Sequence, residues 1–142
     1  MGPFKQRLAH WLFPDPVREL PYARAWNIAS RTAHLAATGL LLGGHAYNVA
    51  ADRLLLPLYL SILTGAALIF IEAYPSLRWL YQGRGVMVLA KLALLLIIPW
   101  LWPHRLIVLL AVLLIASVGS HMPSRFRYYS LVHGRVLNGN KK

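Results

Sequence analysis

The chain predicts an all-α integral membrane protein, a four-helix transmembrane bundle with basic cytoplasmic tails. Of 142 residues, 58% are apolar and 13% are charged, whereas an ordinary globular domain carries about 25% charged residues. Four apolar stretches, at residues 27–50, 54–74, 85–102 and 105–121, each approach the roughly 20 residues that cross a bilayer. The basic residues gather at the two ends of the chain. These observations divide it into a basic interfacial segment (1–26), a four-helix transmembrane domain (27–121) and a basic C-terminal tail (122–142).

The segment Phe4-Lys-Gln-Arg-Leu8-Ala-His-Trp11-Leu-Phe13 has a basic and an apolar side, so it suits a helix lying flat on a membrane surface until Pro14-Asp-Pro16 ends it, with a disordered tail as the equal alternative. It lacks the apolar core of a cleaved secretory signal. The first span contains Gly39-Leu-Leu-Leu-Gly43, a small-xxx-small face suited to close helix approach, and Ser61, Thr64 and Gly65 offer a similar face on the second. The third and fourth spans are short, and the few residues of Pro99-Trp-Leu-Trp-Pro103-His-Arg join them. That link predicts an interfacial turn, because tryptophan favours the headgroup level. A single re-entrant hairpin is the alternative for this pair.

The formal charge of +11 raises nucleic acid as a partner, but no binding module is visible, and the position of the charges points to a membrane surface instead. Lys5, Arg7, Arg18, Arg24 and Arg31 lie at or before the start of the first span, and Arg125, Arg127, Arg135, Lys141 and Lys142 follow the last. The first and third links hold one basic residue each, Arg53 and Arg105, and the middle link holds Arg78 and Arg84. A basic excess marks the cytoplasmic side and meets anionic headgroups there. Both termini and the middle link are therefore expected inside, in a multi-pass protein of a bacterial-type inner membrane.

With no cysteine in the chain, disulfides and thiolate metal sites are excluded, and histidine becomes the leading ligand for any metal or haem. Ionisable residues within spans point to function, because each costs a few kcal/mol if left facing lipid. On the expected topology, His34, Glu72, Lys91 and His121 all fall in the inner half of the bilayer, where a shared polar cluster would satisfy them. Glu72 and Lys91 suit a buried ion pair or a proton relay. His34 and His121 suit the two imidazole ligands of one haem b, with Arg31, Arg125 and Arg127 near the surface for the propionates. Each also has a plainer role: His34 as a hydrogen-bonding partner of a neighbouring helix, Lys91 reaching to the surface, and His121 capping carbonyls at a helix end. His45 lies eleven positions beyond His34, on nearly the same helix face but roughly 16 Å deeper. With Tyr47, Asn48, Asp52 and Arg53 it forms a second polar group near the outer surface, which an interfacial belt also explains. Two stacked haems are not supported, since the other spans carry no second histidine pair at suitable depths.

The pieces Arg31-Thr-Ala-His34-Leu-Ala-Ala-Thr-Gly-Leu-Leu-Leu-Gly-Gly44 and Tyr81-Gln-Gly-Arg-Gly-Val-Met-Val-Leu-Ala-Lys91-Leu-Ala-Leu-Leu together resemble the copper-resistance D (CopD-like) family of bacterial inner-membrane proteins over the first three helices. The resemblance implies a four-helix core with His34 and Lys91 at matching positions, and a role in copper handling or in membrane electron transfer. The chain has about half as many spans as that family's usual members, and its methionines are only Met1, Met87 and Met122. Met-rich or His-rich loops that would collect copper are missing. The functional expectation is a haem b or quinone-binding subunit that passes electrons with other membrane-complex subunits. Copper handling is the alternative, and a cofactor-free structural or assembly subunit the third.

Overall fold

The computed structural model describes residues 3–136. Lys141, Lys142 and Asn138 of the basic tail, and Met1, lie outside the described residues. The chain is mostly helical and divides into two compact units, residues 1–77 and 78–142.

The first unit contains α1 (Pro3–Leu12), α2 (Ala23–Ala46) and α3 (Ala51–Ala73). α1 is the expected amphipathic segment, and Phe4, Leu8 and Trp11 on one face of it are exposed. Arg18 ties it down by donating to the Trp11 carbonyl and placing its guanidinium over the Trp11 and Tyr74 rings. α2 and α3 form an antiparallel hairpin whose contacts run Asn27 to Glu72, His34 to Thr64 and Gly65, and Gly44 to Leu54. Ala37 and Ser61 are buried between these levels. α2 stops short of the expected residue 50 because Asn48 takes a left-handed conformation with φ 52°. The Val49 N–H then donates to the Gly44 carbonyl at 2.9 Å, and the Asn48 N–H to that of His45 at 3.4 Å. This is a Schellman stop, with asparagine in the place glycine usually takes.

Gly39 and Gly43 do not mediate the helix approach expected of them, since a Cβ at either would meet nothing within 4 Å. The close approach is made by Gly44, which shares a helix face with Ala37 seven positions earlier. A Cβ there would come within 2.2 Å of the Leu54 side chain.

A 3-10 turn, Leu77–Tyr81, leads into the second unit, whose helices α4 (Gly83–Leu96) and α5 (Arg105–His121) pack as a hairpin. α5 matches the fourth expected span at both ends. α4 is shorter than the third: the helix gives way to turns near Pro99, which disfavours helical backbone before it and has no N–H to donate. Backbone hydrogen bonds nevertheless continue through Ile98, Trp100 and Leu101 to the 3-10 turn Trp102–His104. Trp100 and Trp102 are exposed there, and the Arg105 guanidinium lies 5.0 Å from the Trp102 ring centroid. The expected tryptophan-arginine turn is thus formed.

The stretch after α5 is folded. It comprises α6 (Ser124–Arg127), β1 (Tyr129–Ser130) and β2 (Arg135–Val136). The strands pair antiparallel, Tyr129 with Val136 and Ser130 with Arg135, which adds a small ladder to a chain expected to be wholly α. Gly134, at φ 60°, supplies the left-handed residue the hairpin needs.

α3 and residues 102–121 are long and apolar enough to cross a membrane. Leu55, Leu56, Ile62, Leu63 and Phe70 on α3, and Ile107, Leu114 and Val118 on α5, are exposed in the folded chain. Exposed apolar surface of that extent is the mark of a membrane-facing or protein-interaction surface.

Candidate functional site

Asn27, Arg31 and His34 recur at helical spacing and share one face of α2. All three meet polar groups of α3. The Asn27 side-chain amide donates to Glu72 Oε1 at 3.3 Å, and Arg31 Nη2 lies 3.6 Å from the same oxygen. Arg31 is about half exposed and Glu72 is 22% exposed, so this ion pair is not enclosed within the helix hairpin. The sequence pairs Glu72 with Lys91; within its own unit the carboxylate is held by Asn27 and Arg31. Asn27 is a member that sequence reasoning missed, although its spacing to Arg31 and His34 was a usable signal.

About two turns along α3 from Glu72, His34 Nδ1 lies 2.9 Å from Thr64 Oγ1. The Thr64 hydroxyl has a single proton, and its 2.6 Å contact with the Leu60 carbonyl uses it. His34 Nδ1 therefore carries the proton and donates to Oγ1, which places the basic lone pair of the neutral ring on Nε2. Gly65 gives the ring room: a Cβ there would lie 3.2 Å from His34 Cε1. Thr64 and Gly65, whose pattern in the sequence more often packs helices than binds ligands, are the residues that orient the imidazole.

In the second unit, His121 Nδ1 lies 3.0 Å from the Ser117 carbonyl one turn back and 3.1 Å from Ser120 Oγ. The carbonyl can only accept, so this ring also carries its proton on Nδ1. Arg127 Nη2 donates to the Ser120 carbonyl at 2.9 Å and closes the end of α5, a capping role not assigned to it in the sequence. Arg125 is exposed on α6, and Lys91 is half-buried on α4. His45 lies half-buried in the last turn of α2. Among the described residues, no group of three or more His, Asp or Glu side chains gathers as a metal site.

The Arg31–Glu72 contact makes a direct prediction. A double-mutant cycle of Arg31→Leu and Glu72→Gln is expected to give a coupling of about 0.5–1 kcal/mol in the unfolding free energy of detergent-solubilised protein. Additive losses would show that the two charges do not support one another. The same cycle with Lys91→Met measures any share that Lys91 has in the carboxylate.

No protein-family model matches the chain, and no curated protein or solved structure shows significant similarity to it.

Proposed function

We propose that the protein is a four-span inner-membrane subunit that carries haem b on His34 and passes electrons within a membrane complex. The hydrogen bonding of the imidazole carries this reading. A histidine that ligates a metal almost always donates its other ring N–H to a protein oxygen, which fixes the tautomer and ring orientation. Thr64 does this for His34, and the Ser117 carbonyl does it for His121 within its own helix. Neutral imidazole is a haem ligand, and arginine suits the propionates. His34 would hold the iron, with Arg31 one turn away for a propionate. When bound, the haem supplies one-electron chemistry. Thr64 orients the ligand, Gly65 makes room for it, and Glu72 steadies Arg31.

Oxidised and reduced absorption spectra of protein purified from haem-replete cells test this reading. His34→Ala is expected to abolish the haem spectrum, and His45→Ala to leave it intact. His121→Ala forms a separate arm, in which loss of the spectrum identifies the second ligand. Protein that purifies without haem overturns the proposal. A bound quinone would then favour a headgroup site at His34 and Arg31, and bound copper would favour the role implied by the CopD-like resemblance at His34 and Lys91.

The four-span topology has its own test, which the absence of native cysteine makes clean. Single cysteines at Asp52 and Asn138 are expected to react with an impermeant maleimide from opposite sides, Asn138 from the cytoplasm. Labelling of both from outside overturns the arrangement.

A further inference from the structure

The residues after α5 form a clasp that the redox reading does not use. Leu131 N–H donates to the Tyr81 carbonyl at 3.0 Å, and Ser130 makes a single antiparallel bridge with Gln82. Ser130 is fully buried and Gln82 is buried. Gly83 faces the Phe126 carbonyl so closely that a Cβ there would lie 2.3 Å from it. The Arg84 guanidinium sits 5.1 Å from the Tyr128 ring centroid. These contacts hold the clasp at the level where α4 begins and α5 ends. Residues 102–121 are long and apolar enough to cross a membrane, so the clasp lies at the bilayer surface if that segment spans. The inference rests on this part of the membrane reading.

The exposed residues of the clasp are of two kinds. Leu131 and Val132, in the hairpin turn, are 63% and 71% exposed, and Phe126 is 59% exposed. Hairpin turns in water favour Gly, Asn, Asp and Ser, so two adjacent branched apolar residues there suit another medium. Arg125 and Arg135 are exposed on the same clasp. Apolar side chains beside cations match the boundary between acyl chains and anionic headgroups.

We infer that the clasp binds anionic phospholipid, with Leu131 and Val132 entering the headgroup–acyl boundary and Arg125 and Arg135 holding the lipid phosphate. The test uses the full chain in proteoliposomes of phosphatidylcholine, with or without phosphatidylglycerol. An environment-sensitive dye on Val132→Cys is expected to be shielded from an aqueous quencher when phosphatidylglycerol is present. In native mass spectrometry the protein should retain phosphatidylglycerol over phosphatidylcholine. Arg125→Gln with Arg135→Gln is expected to reduce that selectivity roughly tenfold or more. Unchanged selectivity in the double variant overturns the inference, as does equal quenching with and without phosphatidylglycerol. Either result, in protein that resists alkaline carbonate extraction, removes the clasp proposal and leaves the membrane reading standing. Release by carbonate removes both.

Discussion

Gly85→Ala is expected to lower the unfolding free energy of the protein by about 3 kcal/mol, near the upper end for overpacking of a tight site. A Cβ at this position would lie 2.2 Å from the Trp79 carbonyl oxygen and 2.9 Å from Leu80 Cα. These are backbone atoms of the turn that leads into α4, so no rotamer change can relieve the overlap. The clasp closes over the same turn, and Trp79 is buried within it. Tryptophan fluorescence and circular dichroism of the detergent-solubilised variant on heating measure the loss. Gly39→Ala and Gly43→Ala are the controls, because their Cβ atoms meet open space and alanine is the better helix former by about 1 kcal/mol. Equal melting of Gly85→Ala and these controls would refute the tight turn.

Thr64→Val is expected to weaken haem binding by about ten- to a hundredfold, the range seen when a supporting hydrogen bond to a ligating histidine is removed. Valine keeps the shape of threonine and removes the oxygen that accepts from His34 Nδ1. The ring would lose its fixed tautomer and orientation, while α2 and α3 remain packed. Thr64→Ser keeps the acceptor and is expected to retain most of the affinity. Haem titration of the three proteins gives the comparison, and melting of the apo forms separates a loss of fold from a loss of ligand geometry. Equal affinity in Thr64→Val and the parent would show that the hydroxyl does not prepare His34 for iron. The plainer role of His34, a bond between neighbouring helices, would then account for the contact.

The long helices were legible because apolar length and helical spacing are local properties of a sequence. α5 begins at Arg105 and ends at His121 as expected, and α1, the turn at Trp102 and the body of α3 follow the residues that suggest them. Their ends were less legible. Asn48 stops α2 through a left-handed conformation that asparagine tolerates but does not require. The turns near Pro99 shorten α4, although its apolar run continues.

A helical, strongly apolar chain with cations at its ends and a few ionisable residues within its apolar stretches can be read from the residues alone. Composition and spacing decide those features before any helix meets another. Tertiary structure alone decided which polar residues meet. Glu72 meets Asn27 and Arg31, and His34 meets Thr64 beside Gly65, because the register of the α2–α3 hairpin brings those levels together. It also made Gly44 the point of close approach in place of Gly39 and Gly43, since one step along a helix turns a residue by about 100°. The C-terminal clasp was hidden for a related reason. Its contacts join Tyr81, Gln82 and Gly83 to residues more than forty positions later, and no local pattern in the sequence records a bond across that distance.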